Sequence, residues 1–316
     1  MRKVDVSLGL DVPLRPRRRS PSRLVMQPRR LIVWAVLGAA TIFFALPIVW
    51  LILESTRTQA DSVAGPALGF GSLKQAQLNW HVLIETFSRF GTWLRNSAVY
   101  STSGALIAVG VGIPAGYGLA TFEFVGRRPL LILTMIAMLI PSNALVLPLV
   151  LEAHALGLLT SPLAVILPYG LFPFGVYISY LYFNSLRIRG LVAAARSDGC
   201  NEWQAFRHVA LPLSTSAIAI IAALDFIASW SNYFLPWAMY WSYDVTGRYP
   251  VTLGIAQQLM AGPTSGGYPL KDLQLQTAAS PPVEALLILI SCVPVILVLV
   301  IAQRWIASGR LQGVFV

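Results

Sequence analysis

Charge is what this sequence has least of. Aspartate, glutamate, lysine and arginine make up 11% of its 316 residues, against 56% hydrophobic, and the mean hydropathy is +0.67. So few charged groups cannot clothe the surface of a soluble fold, which leaves a chain that crosses a membrane repeatedly. Cysteine is nearly missing: Cys200 lies in a polar stretch and Cys292 in an apolar run, which excludes a disulfide framework and a thiolate metal spacing. His81, His154 and His208 are scattered without carboxylates at ligand spacing, so no metal site is expected. The chain has no G-x-x-x-x-G-K-S/T phosphate loop, no nucleophile elbow, no H-E-x-x-H pair and no carboxylate pair with evident geometry. No catalytic residue is therefore assigned, no cofactor is expected on this chain, and an enzyme is disfavoured.

What the chain does have is apolar runs of membrane-crossing length. They fall at about 31–53, 94–120, 129–151, 160–183, 213–235 and 283–303, which predicts an all-α polytopic membrane protein with six transmembrane helices. The first 30 residues hold nine of the 23 basic residues, with Arg15, Arg17, Arg18 and Arg19 in one block. Such a run also suits nucleic acid, but ahead of a span it reads as a disordered basic tail, 1–30, that holds the first helix's amino end inside. No small-residue cleavage site follows the first apolar run, so that run is expected to stay as a helix of the 31–316 membrane domain. The alternating connections carry seventeen basic residues on the tail's side and five on the other, with Arg95 left aside. Both ends are therefore expected in the cytoplasm, in a multi-pass protein of the cytoplasmic membrane.

Between the fourth and fifth runs lies a polar, basic island, 186–213. It predicts two short helices: Leu191, Ala194 and Ala195 share a face of the first, and Gly199 supplies a permissive turn after Asp198. Asn201 and Gln204 have capping-box spacing, and Glu202 suits the electropositive first turn. Trp203, Phe206 and Ala210 follow at i, i+3 and i+7 on a helix that Pro212 limits, a face suited to docking.

The order Ala194, Ala195, Asp198, Gly199, Trp203, Phe206, Leu211, Pro212, Leu213 resembles the EAA loop of bacterial ATP-binding-cassette importer permeases, with Ala193, Ser197 and Cys200 standing where that pattern has Glu, Ile and Ala. Asn96-Ser97, the stretch from Ala115 to Arg127, Asn79-Trp80, Gly157-Leu158-Leu159, Leu167-Pro168-Tyr169 and the closing residues 309–314 resemble other segments of the carbohydrate-importing, maltose-permease-like branch. The resemblance implies a permease moving a sugar or sugar derivative. It further implies a second, unlike permease subunit, two ATPase subunits carrying ATP and magnesium, and an extracytoplasmic solute-binding protein. Leu191, Ala194, Ala195, Asp198, Gly199, Trp203, Phe206 and Pro212 would then couple the chain to its ATPases.

Polar groups are few inside the apolar runs. Asp225 lies mid-span, where an exposed carboxylate costs about 2.5 to 3.5 kcal/mol, so it should face protein or a wet cavity. With Ser229, Trp230, Ser231 and Asn232 it forms the candidate translocation path, and Pro236 is expected to kink the end of that helix. In the second run, Gly112 and Gly116 form a small-xxx-small pair that admits a close helix neighbour. Residues 241–282, with their Gly- and Pro-rich centre, predict an irregular exposed loop; Gly266, Gly267 and Tyr268 are its candidates for binding-protein docking. Two other functions stay open at this point: a proton-driven carrier relayed by Asp225, and a non-transporting membrane scaffold. Dependence of uptake on ATP or on a proton gradient separates the first, and absence of any flux the second.

Overall fold

Backbone polar groups have no water to bond inside a bilayer, so apolar runs close their hydrogen bonds internally as helices. The protein, seen as a computed structural model that describes residues 28–240, 245–260 and 280–307, is helical in this way, with no strand among the described residues. It divides into two units, Met1–Ile48 and Val49–Val316. The described part of the first unit is most of one long helix, α1 (Pro28–Glu54), whose Trp34, Phe43 and Phe44 are exposed. The second unit holds everything else.

Beyond α1 the chain forms two short helices, α2 (Gln59–Ala64) and α3 (Leu73–Thr86), before the long α4 (Phe90–Thr121). Buried Arg57 pairs with Glu54 at 3.1 Å. Asn79 donates its amide to the carbonyls of Ser55 and Arg57 at 2.9 and 3.0 Å, fastening α3 to the turn after α1. The chain then runs through α5 (Arg127–Leu139), a 3-10 turn at Ser142–Leu145, α6 (Val146–Ala155), α7 (Leu163–Gly170) and α8 (Pro173–Phe183). Among the described residues, four helices are long and apolar enough to span a membrane, or up to six if each of two bent pairs is one span.

The predicted third span is not straight. Its two halves, Arg127–Leu139 and Ser142–Ala155, meet at 98°. Pro141 has no N–H for the helix ladder, and the Ser142-Asn143 pair after it favours a turn. The fourth span is also interrupted, at Leu171–Phe172 just ahead of Pro173.

Helix α4 is the axis of the second unit, packing along α7, α8 and the fifth span, α11 (Thr215–Ser231). Its glycines permit this. The position of a Cβ on Gly116 is already taken by Ser179 and Tyr180 of α8, so only glycine fits there. A Cβ built on Gly112 would stand 3.4 Å from the Gly175 carbonyl carbon, an ordinary contact.

After α11 the helix breaks at Asn232 rather than at Pro236. Asn232 leaves helical geometry, and its side-chain oxygen accepts the N–H of Leu235 at 3.2 Å, starting α12 (Phe234–Tyr240). Pro236 falls in the first turn of α12, where a missing N–H costs nothing. The region read as one irregular loop contains a 3-10 turn at Thr246–Arg248 and a helix, α13 (Val251–Met260), with Val251 and Leu253 fully buried. The start of α4 grips it. Asn96 donates to the carbonyls of Gly247 and Tyr249, Trp93 to that of Thr246, and Tyr100 to that of Arg248, while Ser97 accepts the N–H of Val251 at 2.8 Å. The Gly- and Pro-rich centre of that region, 261–269, lies outside the described residues; in the part described, side chains far away in sequence turn 245–255 into core. The last described helix is α14 (Pro281–Ala307).

Candidate coupling helix and translocation cleft

The polar island folds as two helices, α9 (Leu186–Ser197) and α10 (Glu202–Leu213). Gly199 adopts φ +89° between them; its N–H bonds the Arg196 carbonyl and that of Cys200 the Ala195 carbonyl, a Schellman closure. Asn201 and Gln204 form the expected capping box, with bonds of 2.8 and 2.9 Å. Arg196 and Glu202 add a two-armed ion pair across the turn, both arms 2.8 Å, and the carboxylate stabilises the already permanent guanidinium charge. The pair is part-exposed, so it orients more than it stabilises.

Within α10, residues Ala205–Ala210 widen into a π-helix, and the N–H of Leu211 reaches back to Phe206. Pro212 has no N–H and would clash with the carbonyl four residues before it, and the wider turn carries the ladder past that point. At Ser214 the chain bends by 70° into α11. Ser214 bonds back to Leu211, and the Tyr182 hydroxyl donates to the Leu213 carbonyl, so the bend's freed carbonyls are satisfied.

Burial divides the island. Ile188, Val192 and Ala195 of α9, with Ala205, Phe206 and Ala210 of α10, belong to a core cluster that includes Tyr117, Tyr182 and Phe183. The rings of Phe206 and Tyr117 are 4.9 Å apart. Leu191, Ala194, Asp198, Gly199, Trp203 and Pro212 are exposed, Trp203 by 64%. The faces expected from spacing are thereby corrected: Ala195 and Phe206 turn inward, and Leu191 and Trp203 face out. Trp203 and Phe206, three residues apart, differ by about 60° around the helix axis, a difference that decides burial and that an i, i+3, i+7 pattern does not resolve.

The candidate path residues separate in the same way. Asp225 is 2% exposed; its Oδ2 finds no hydrogen-bond donor among the described residues and lies 3.4 Å from where a Cβ on Gly104 would be. Ser229 adjoins it, at 3.6 Å from the same point. Trp230 stacks on Phe226 and donates to the Ser291 carbonyl of α14 at 3.1 Å. These three sit between helices. Ser231 and Asn232, by contrast, line an open cleft of about 720 Å3 together with Asn143, Ala144, Ala228, Tyr233 and Phe234. Two interruptions meet there, that of the third span at Pro141 and that of the fifth at Asn232. Interrupted helices present backbone and amide groups inside a membrane without exposing them to lipid.

Residues 108–312 match the family of binding-protein-dependent transport system inner membrane components. The chain belongs to that family. It is a permease, 28% identical over 287 residues to the diacetylchitobiose uptake system permease protein of Streptomyces coelicolor, covering 90% of this chain and 86% of the relative. The arabinooligosaccharides transport system permease protein of Bacillus subtilis is 28% identical over 283 residues, 87% and 94% of the two chains. The trehalose transport system permease protein of Mycobacterium tuberculosis is 28% identical over 295 residues, 91% and 98%. A crystal structure of a bacterial ABC transporter that imports the acidic polysaccharide alginate shares the permease fold with TM-score 0.72 at 21% identity, over 87% of this chain and 95% of that one.

Of the residues lining the cleft, sequence reasoning singled out Ser231 and Asn232 but not Asn143, Tyr233 and Phe234. The signal for Asn143 was present as Pro141-Ser142-Asn143 inside an apolar run, yet a run-length reading passes over it. Gly266, Gly267 and Tyr268 lie outside the described residues, as do the basic tail as far as residue 27 and the closing residues 309–314.

Proposed function

We propose that this permease is one of two unlike membrane subunits of an ATP-driven importer for a sugar or sugar derivative, docked through α9 and α10 onto ATPase subunits that bind ATP and magnesium. The observation that carries this reading is the two-sided island: one side built into the core around Tyr117, the other presenting Trp203 on a capped, ion-paired helix. A push on α10 passes through Phe206 to α4 and through the bend at Ser214 to α11, a rigid lever for a two-state transition. The basic-residue count supports both termini, and hence the island, in the cytoplasm.

The relatives' transported sugars support the substrate class. The cleft suits it: Asn143, Ser231 and Asn232 offer amide and hydroxyl groups to sugar hydroxyls, and Tyr233 and Phe234 offer rings to sugar faces. A solute-binding protein delivers the sugar from the far side, with Gly266, Gly267 and Tyr268 the candidates for its docking. Burial of Asp225 takes the proton relay of the carrier alternative away from the cleft.

The test is reconstitution with the partner permease, the ATPase and the binding protein in proteoliposomes. Trp203→Ala is expected to leave ATP hydrolysis intact while sugar uptake falls. Normal uptake per ATP in that variant would overturn the lever.

A further inference from the structure

We propose that α3 and the connection before it form an interfacial anchor, whose exposed apolar stripe inserts into the headgroup region of the leaflet where α1 ends and α4 begins. This requires a membrane around the spans but not a sugar substrate.

Both flanks of the segment are membrane-spanning helices, α1 ending at Glu54 and α4 beginning at Phe90, so residues 55–89 start and finish at one edge of the bilayer. At 100° per residue α3 carries three stripes, where a helix resting on a core in water needs two. The first is buried: Asn79, and Leu83 in a cluster with Phe87, Phe90, Val283 and Leu287. The second is mainly polar and exposed, Lys74, Gln77, His81 and Glu85, with Leu78 its one apolar member. The third is apolar and equally exposed: Leu73 by 73%, Trp80 by 45% and Ile84 by 51%.

The connection into α3 points to the same medium independently. Residues 64–71 read A-G-P-A-L-G-F-G, without one charged, amide or hydroxyl side chain, and Leu68 and Phe70 are more than half exposed. Loops bathed in water are built from polar groups.

Lipid fits better than a protein partner on area. The stripe is one residue wide and about 17 Å long from Leu73 to Ile84, at about 1.5 Å per residue. Three side chains offer far less than the roughly 800 Å2 per partner of a stable protein interface. A Trp flanked by aliphatic groups, with polar groups along the opposite edge, suits the boundary between acyl chains and headgroups. Asp61 and Glu85 balance Lys74 and Arg89 in charge, and buried Arg57 is neutralised by Glu54, so insertion is driven by the apolar stripe and not by anionic lipid.

The experiment uses the full transporter in nanodiscs, with Cys200→Ser and Cys292→Ala as background. Nitroxides are attached at Leu73→Cys, Trp80→Cys and Ile84→Cys, and separately at Lys74→Cys, His81→Cys and Glu85→Cys. Collision rates with oxygen and with a water-soluble nickel chelate are then compared. The first set is expected to show an oxygen-to-nickel ratio several-fold above the second, unchanged between pure phosphatidylcholine and a mixture with phosphatidylglycerol. Equal ratios in the two sets would place the stripe in water, and protection of the first set from both reagents would place it under protein; either overturns the proposal. Should Trp80→Cys fail to assemble, Leu73→Cys and Ile84→Cys read the same stripe.

Discussion

Gly116→Ala should separate α4 from α8. A Cβ built on Gly116 stands 2.6 Å from the backbone nitrogen of Tyr180 and 2.7 Å from the carbonyl carbon of Ser179, with the Ser179 side chain closer still. Ordinary carbon contacts begin near 3.4 Å, and backbone cannot rotate away as a side-chain tip can. Helix α8 must therefore move by roughly 1 Å, a gap that forfeits about a quarter to a half of each neighbouring dispersion contact. Those neighbours include the Gly112–Gly175 approach and the Tyr117–Phe183 ring pair, 5.4 Å between centroids. Overpacking of this kind costs about 1–3 kcal/mol, and the helix propensity of alanine returns up to about 1 kcal/mol. Gly110 is the internal control: it is exposed on the same helix with nothing within 4 Å, so Gly110→Ala keeps only the gain. The propensity gain is common to both, so the two variants should differ by the overpacking cost, about 1–3 kcal/mol, with Gly112→Ala between them. Equilibrium unfolding of the purified transporter in mixed micelles of rising denaturing-detergent fraction measures this. Equal midpoints for Gly116→Ala and Gly110→Ala would mean that α4 and α8 do not approach this closely, and the packing argument would fail.

Three other outcomes are expected. Phe206→Ala empties a buried site against Tyr117 and should cost about 3–5 kcal/mol in the same assay, whereas Trp203→Ala, two-thirds exposed, should cost at most about 2 kcal/mol while removing coupling; equal losses would contradict the two-sided island. Asp225→Asn, an isosteric change between helices, should leave sugar flux near wild type; Asn232→Ala or Asn143→Ala should each raise the half-saturating sugar concentration about 2- to 10-fold, the worth of one hydrogen bond, and the reverse pattern in uptake assays would move the path to Asp225. Asn96→Ala leaves two carbonyls of the 245–251 turn without their donor, at about 1–3 kcal/mol, and should speed hydrogen exchange there; unchanged protection would mean that another contact holds the turn.

The parts of the fold legible in the chain are those encoded over a few residues. Run length placed the spans, and cap chemistry placed Gly199, Asn201 and Gln204 correctly because each acts on backbone within one turn. Harder to read was the side each residue faces. Phe206 and Trp203 belong to one apolar spacing, yet one is core and the other surface. Asp225 and Asn232 are polar residues of the same run, yet one is sealed against Gly104 and the other opens on the cleft. Soluble helices betray their buried side by contrast with a polar one; a membrane helix has apolar residues towards lipid and towards protein alike, so the contrast vanishes.

What the amino-acid order alone determined, then, is a greasy helical chain with a capped polar elbow and the residue pattern of an importer permease. Tertiary structure decided which groups meet: the turn after α12 captured by Asn96 and Tyr100, and Asn143 brought into one cleft with Asn232. The reason is range. Caps and run lengths act over one turn or one helix, whereas the cleft needs two helix breaks some 90 residues apart to converge, and packing of α5 on α8, of α6 on α12 and of α11 on α4 sets that distance.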